Sequence, residues 1–203
     1  MSGGFIVVLA ILAFAAVTIF KGVRIVPQGY KWIVQRLGKY HTTLSPGLNF
    51  VIPYVDEVAY KVTTKDIVLD IPSQEVITRD NAVLLMNAVA YINITTPVNA
   101  VYGIENYTWA IQNLVQTSLR SIVGEMDLDD ALSSRDHIKA KLKAAISDDI
   151  SDWGITLKTV EIQDIQPSST MQAAMEAQAA AERQRRATVT KADGEKQAAI
   201  LEA

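Results

Sequence analysis

The stretch Val83–Ile94, VLLMNAVAYINI, decides the fold because apolar and polar side chains alternate more regularly here than anywhere else in the chain. Successive side chains of a β-strand point to opposite faces of the sheet. One face would carry Leu84, Met86, Ala88, Ala90, Ile92 and Ile94. The other would carry Asn87, Tyr91 and Asn93. The stretch therefore predicts a long strand with one buried face.

Shorter strands are predicted on both sides of this stretch. Aromatic and β-branched residues are enriched at 30–37, 57–62, 67–71 and 75–78 on the N-terminal side, and at 155–165 on the C-terminal side. Pro72 is expected to end the strand that begins at Ile67, and Pro167 to end the final strand, since proline cannot donate to a sheet ladder. Gly38 and Lys39 suit a turn.

A helical period replaces the alternation between these strands. One apolar stripe runs along 107–124 and a second along 135–153, and a glycine follows or ends each helix. The second stripe consists of Ile138, Leu142, Ala145, Ile146, Ile150 and Trp153. Pro97 can open a short helix, Ser134 can cap the second long helix, and Asp127 with Asp130 resembles a capping box. Helices and strands together predict an α+β domain.

The first 20 residues, MSGGFIVVLAILAFAAVTIF, contain no charge. A cleaved signal peptide, a buried core helix and a membrane anchor are the three interpretations, and the length of the apolar run suits a transmembrane anchor. Lys21 and Arg24 follow the run and favour a cytoplasmic location for the rest of the chain. The residues expected to contact the membrane here are Phe5, Ile6, Leu9, Leu12, Phe14, Ile19 and Phe20.

A second uncharged stretch, LSPGLNFVIPYV at 44–55, is too short to cross a bilayer. It suits a core strand entered through the Pro46-Gly47 turn, or a segment in shallow contact with a membrane surface. The second interpretation makes Leu48, Phe50 and Ile52 membrane-contact residues.

The segment from Met171 to the end is rich in alanine, glutamate and glutamine and predicts one long helix, the start of a coiled coil. Its apolar stripe is thin, so it should pack against identical neighbours rather than stand alone. The residues expected to mediate this self-association are Met171, Met175, Ala179, Arg183 and Arg186. The helix reaches residue 203 without a cap, which predicts that the natural helix continues.

Composition and motifs point away from catalysis and from nucleic acid. The net charge is −3, the chain has no cysteine, and its histidines number two, His41 and His137, which have no apparent catalytic partner. Nucleotide-binding glycine motifs, zinc-protease motifs and serine-hydrolase elbows are missing from the sequence. Asp127, Asp129 and Asp130 lack calcium-loop spacing, so helix capping explains them more simply. We therefore predict no catalytic residue, no metal and no cofactor.

Several strings resemble the stomatin-like branch of the SPFH superfamily of stomatins, prohibitins and flotillins, also called band-seven proteins. They are VPQGY at 26–30, RLGKY at 36–40, PGLNF at 46–50, VLDIPSQEVITRDN at 68–81, LRSIVG at 119–124, LSSRD at 132–136, WGI at 153–155, VEIQDIQP at 160–167 and ADGEKQA at 192–198. The resemblance covers nearly the whole chain from about residue 5.

The resemblance implies a non-enzymatic scaffold with an anchor at 1–24, an SPFH domain with a mainly antiparallel sheet at 25–167, and a coiled-coil helix at 168–203. Such proteins assemble into rings or cages that organise membrane lipids and proteins, often membrane proteases, and the stretch at 46–53 corresponds to the family's membrane-associated portion. A protease regulator is the alternative function. A tethered enzyme or an extracytoplasmic binding module is the third, which the lack of a catalytic constellation disfavours.

Overall fold

The computed structural model describes the backbone of residues 2–202, and side chains at all of these positions except 2, 3, 6, 10, 14, 195 and 197–202. The chain begins with a helix, passes through a mixed domain of helices and strands, and ends in a second long helix. The elements in chain order are α1 Ser2–Gly22, β1 Val23–Val26, β2 Tyr30–Arg36, β3 Lys39–Leu44, β4 Gly47–Phe50, β5 Asp56–Thr63, β6 Ile67–Ile77, β7 Val83–Ile94, α2 Pro97–Tyr102, α3 Tyr107–Gly124, α4 Leu128–Ser133, α5 Arg135–Asp152, β8 Ile155–Pro167 and α6 Ser169–Glu202.

The strands of the described chain form three antiparallel sheets. β1 pairs with β4, β2 lies between β3 and β5, and β7 lies between β6 and β8. Helix α3 packs against β6 and against α5, while α5 packs along β8. This arrangement confirms the predicted α+β class with antiparallel sheets.

The main core lies between the β6–β7–β8 sheet and the helices α3 and α5. All six apolar residues predicted on one face of Val83–Ile94 are buried, from Leu84 to Ile94. The stripe of α3 is buried as predicted. In α5, Ile138, Leu142, Ile146 and Ile150 are fully buried. Ala145 is exposed, which corrects its placement in the stripe, because it lies at the margin of the helix face that these four residues define.

Strand β6 does not end at Pro72. It continues to Ile77, and the pairing with β7 shifts register between Ile71 and Gln74. β6 is an edge strand, where a β-bulge can accommodate a residue that has no N–H to donate. The two short strands predicted at 67–71 and 75–78 are therefore one strand with a bulge.

The capping predictions were partly wrong. Asp127 and Ser134 occupy the N-cap positions of α4 and α5, but neither side chain makes a capping hydrogen bond. The Asp127 carboxylate instead pairs with Arg79. The N–H of Leu128 donates to the carboxylate of Asp80, at 3.2 and 3.3 Å from its two oxygens. A charge from the β6–β7 turn thus satisfies the start of α4, a partner that local sequence does not reveal.

Helix α1 confirms that the first segment is helical. Among the helices of the described residues, none combines the length and the apolar character that crossing a bilayer requires. The predicted transmembrane span is therefore not supported.

Candidate membrane-contact surface

The two-stranded ribbon of β1 and β4 presents apolar side chains to solvent. Ile25 lies opposite Leu48, and Val23 lies opposite Phe50. Directly opposed residues of an antiparallel pair share one face. Ile25, Leu48 and Phe50 are 71%, 62% and 72% exposed, and Ile52, just beyond β4, is 54% exposed. We call these four residues the apolar face.

The other face of the ribbon is packed, which shows why the apolar face is exposed. Val26 and Val51 form a small buried cluster with Val34 and Leu44, against which Trp32 and Val58 pack. Because side chains alternate along a strand, burying Val26 turns Ile25 outward. The stretch at 44–55 is therefore a core segment only in part: Leu44 and Val51 belong to a core, whereas Leu48, Phe50 and Ile52 are exposed.

Helix α1 is joined tightly to this ribbon. The N–H of Val51 donates to the carbonyl of Gly22 at 2.8 Å. A Cβ at position 22 would lie only 2.8 Å from the carbonyl oxygen of Val51, so only glycine permits this approach. The ammonium of Lys21 lies 5.6 Å from the centre of the Tyr54 ring. The exposed apolar side chains of α1, which end at Phe20, are thus close in the chain to the apolar face.

An ion pair holds the loop that carries Ile52. Arg36 donates to both carboxylate oxygens of Asp56, at 2.7 and 3.0 Å, and the N–H of Ile52 donates to Asp56 at 2.8 Å. The Asp56 side chain is only 3% exposed. The hydrogen bond from Arg36, helped by that from Ile52, lowers the pKa of Asp56 to about 2. Tyr54 lies in the chain between Ile52 and Asp56 and has a positive φ of 72°, a backbone conformation that is uncommon for a residue other than glycine.

We expect Asp56→Asn to lower the melting temperature by roughly 5 °C at neutral pH, because the charge-assisted bonds to Arg36 and Ile52 weaken. The lowered pKa means that the folded state holds its proton less tightly than the unfolded chain does. The stabilisation is therefore present above the ordinary value of 3.8 and is lost as the pH falls towards 2. Melting curves from pH 7 to pH 2.5 should show that the difference in melting temperature between the native protein and Asp56→Asn becomes smaller below about pH 4.

Asp70→Asn is the matched control, since Asp70 is an exposed aspartate of strand β6. It should leave the melting temperature at pH 7 nearly unchanged, because its side chain is exposed. A constant difference between the native protein and Asp56→Asn down to pH 2.5 would contradict the assigned role of the Asp56 charge.

The predicted membrane-contact residues fall into two groups on the structure. Leu48, Phe50 and Ile52 lie together on the apolar face, and Phe5, Leu9, Leu12, Ile19 and Phe20 are exposed along α1. Ile6 and Phe14 lie outside the residues whose side chains are described. Ile25, the fourth residue of the apolar face, was not predicted, because the sequence analysis did not recognise the four-residue strand VRIV that contains it.

The predicted self-association residues are not gathered on one free stripe. Met171 and Met175 pack against the core of their own domain, and Ala179 is half-buried on the same side of α6. Arg183 is exposed, whereas Arg186 pairs with Glu182 at 3.0 Å. The first turns of α6 therefore dock on the domain, and the alanine-rich sides of the helix remain exposed.

The polar residues that the sequence analysis considered for catalysis or metal binding do not form one site in the described part of the chain. His41 and His137 are both exposed, and Asp127 is engaged by Arg79. Within the part of the chain that the structure describes, no three acidic or histidine side chains come together as a metal site.

Comparison with known families identifies the domain that carries the apolar face. Residues 24–196 match the SPFH domain / Band 7 family. The chain belongs to this family. The match confirms the resemblance drawn from sequence, and the SPFH domain includes the β1–β4 ribbon as well as the α+β core.

Relatives of the SPFH domain come from distant organisms. The chain is 40% identical over 195 residues to a stomatin homolog of Pyrococcus horikoshii, covering 96% of this chain and 73% of the relative. It is 38% identical over 175 residues to the human mitochondrial stomatin-like protein 2, covering 86% and 49%. An uncharacterized protein of Mycobacterium tuberculosis is 36% identical over 191 residues, covering 94% and 50%. The chain spans about half the length of several curated relatives that it matches.

Proposed function

We propose that this protein is a non-enzymatic, membrane-associated SPFH scaffold whose domain lies against the bilayer through the apolar face. The observation that carries the proposal is the outward display of Ile25, Leu48, Phe50 and Ile52 on a ribbon whose other face is packed. Exposed apolar patches of this kind mark interaction sites with membranes or proteins. The direct link from the apolar helix α1 into this ribbon favours a membrane as the surface that covers it.

The energy of such contact is modest for one subunit. Fully burying a large apolar side chain contributes about 1.5–3 kcal/mol, and the four residues of the apolar face would bury only partly. Linking many subunits raises the effective concentration of each contact at the membrane. A weak single contact thus fits a scaffold that acts as an assembly rather than as a monomer.

The proposed assembly is a homo-oligomeric ring or cage in which α6 helices lie side by side and organise lipids and enclosed membrane proteins, a membrane protease among them. The exposed, alanine-rich sides of α6 support close helix approach, and Met171 and Met175 would set the direction in which the helix leaves the domain. The proposed location is the cytoplasmic face of the cell membrane, whose anionic lipids attract cations such as Lys21 of α1 and Arg24 of β1.

Cysteine crosslinking can test this assembly, because the chain contains no cysteine of its own. We expect Arg183→Cys in the full chain, reconstituted in vesicles, to form disulfide-linked dimers on oxidation, the largest covalent product that one cysteine per chain allows. Lys141→Cys on α5 is the control for random collisions and should give weaker crosslinking. Electron microscopy of the detergent-extracted protein should show particles much larger than one subunit. A monodisperse monomer with no more crosslinked dimer than Lys141→Cys gives would contradict the scaffold proposal.

A further inference from the structure

A cavity lies between the ribbon and the β3–β2–β5 sheet, immediately behind the apolar face. Its wall includes Arg24 of β1, Trp32 of β2, and Asp56, Glu57 and Lys61 of β5. Arg24 stands between Val23 and Ile25, so its side chain leaves the ribbon on the side opposite to Ile25. The cavity therefore adjoins the surface proposed to touch the bilayer, on the side facing away from the lipid chains.

The charges of this cavity are divided between engaged and available groups. Asp56 is engaged by Arg36 and by the N–H of Ile52. The ammonium of Lys61 lies over the ring of Trp32, 4.7 Å from its centre. Among the described residues, Arg24, Glu57 and Lys61 take part in no ion pair. The cavity thus offers two cations and one carboxylate to a ligand.

We infer that this cavity binds the headgroup of an ethanolamine phospholipid, with the phosphate held by Arg24 and Lys61 and the primary ammonium held by Glu57. This inference rests on the proposed apposition of the apolar face to a membrane, which brings lipid headgroups to the level of Arg24. Arginine and lysine are the usual partners of phosphate oxygens, and a carboxylate accepts hydrogen bonds from an ammonium.

The same groups disfavour the other common headgroups. A choline headgroup has no N–H to donate to Glu57, and Lys61 already covers a face of Trp32 that could otherwise attract a quaternary ammonium. A glycerol headgroup also places its phosphate between the two cations, but it brings no ammonium to Glu57 and leaves that carboxylate without a cationic partner from the ligand. Glu57 is therefore the residue that selects among headgroups, and Arg24 is the residue that binds all of them.

Trp32 can report occupancy of the cavity. In the full chain, Trp109→Phe and Trp153→Phe leave Trp32 as the sole tryptophan. Reconstituted in phosphatidylcholine vesicles with increasing phosphatidylethanolamine, this protein should show a saturable change in Trp32 emission. Arg24→Gln should raise the phosphatidylethanolamine fraction at half-saturation about threefold, the effect expected for one partly exposed ionic contact. Glu57→Gln should weaken the response to phosphatidylethanolamine and strengthen the response to phosphatidylglycerol.

Lys65→Gln and Glu75→Gln are the controls. Lys65 also lies near an aromatic ring, 5.6 Å from the centre of Tyr30, but does not line the cavity, and Glu75 lies on the distant strand β6. Both variants should respond as the parent does. An equal response to phosphatidylglycerol that Glu57→Gln leaves unchanged would overturn the inference, as would an equal response to inorganic phosphate in pure phosphatidylcholine vesicles.

A separate dye distinguishes failure of this inference from failure of the proposed function. An environment-sensitive fluorophore on Leu48→Cys should become buried in vesicles of any of these compositions if the apolar face touches the bilayer. Dye burial without a selective Trp32 response would overturn the headgroup inference and leave the proposed function intact. If the dye remains exposed to water, the apolar face does not touch the bilayer; the proposed function is then contradicted, and the headgroup inference that rests on it falls as well.

Discussion

Phe50→Asp together with Ile52→Asp should lift the domain from the membrane without unfolding it. The two side chains are 72% and 54% exposed, so charges placed there stay in water in the free protein and the fold loses little. Against a bilayer, the pair would lose about 3 kcal/mol of apolar contact, which corresponds to roughly a 100-fold fall in the equilibrium for apposition. Had the stretch at 44–55 been a core strand throughout, the same change would bury unpaired charge and unfold the domain.

The measurement uses the fluorophore on Leu48→Cys in vesicles beside a thermal melt of the same protein. We expect the dye signal of apposition to be lost while the melting temperature changes by at most a few degrees. Val68→Asp with Ile77→Asp is the control, since both residues are exposed on β6 away from the ribbon, at 58% and 57%. An apposition signal that survives Phe50→Asp and Ile52→Asp would remove the apolar face from the proposed function.

Gly154→Ala should be the most destabilising single methyl addition in the domain outside the ribbon. Gly154 joins α5 to β8 with a φ of 69°, and a Cβ there would lie 2.5 Å from the carbonyl oxygen of Thr96. Its own carbonyl accepts hydrogen bonds from the N–H groups of Thr95 and Thr96, both at 2.9 Å. A methyl group would push Gly154 away from the segment that contains Thr95 and Thr96 and weaken these two hydrogen bonds. We expect a loss of about 3 kcal/mol and a melting temperature lower by roughly 10 °C.

Gly194→Ala, in contrast to Gly154→Ala, should not destabilise the domain. Gly194 lies within α6, and a Cβ there would meet no atom within 4 Å. Alanine favours the helix over glycine by about 1 kcal/mol, so helicity measured by circular dichroism should rise slightly while the domain melts as before. Equal melting temperatures for Gly154→Ala and the native protein would contradict the close packing at the start of β8.

The sequence predicts best where burial and periodicity agree. Along β7 every second residue is buried, so the alternation alone identified the core face. The same logic failed at Pro72, because a proline signals a strand end unless the strand is at an edge, and edges depend on the whole sheet. It also failed for Asp127, whose partner Arg79 lies 48 residues earlier in the chain.

The apolar face was predicted in part for a comparable reason. The apolar character of 44–55 was visible, but which of its residues face outward depends on pairing with β1, and that pairing brings Ile25 beside Leu48. The ion pair of Arg36 with Asp56 joins residues from two strands that lie beside each other only in the folded sheet. A single sequence carries no local signal for such contacts.

The bulge at Pro72 has a consequence for crowding. Proteins concentrated on a membrane surface present their sheet edges to one another, and regular edges invite strand-to-strand aggregation. At Pro72 the pairing of β6 with β7 shifts register and the residue has no N–H to donate, so β6 is not a regular strand at this edge of the sheet. A strand from another molecule is therefore less able to extend the sheet at this edge.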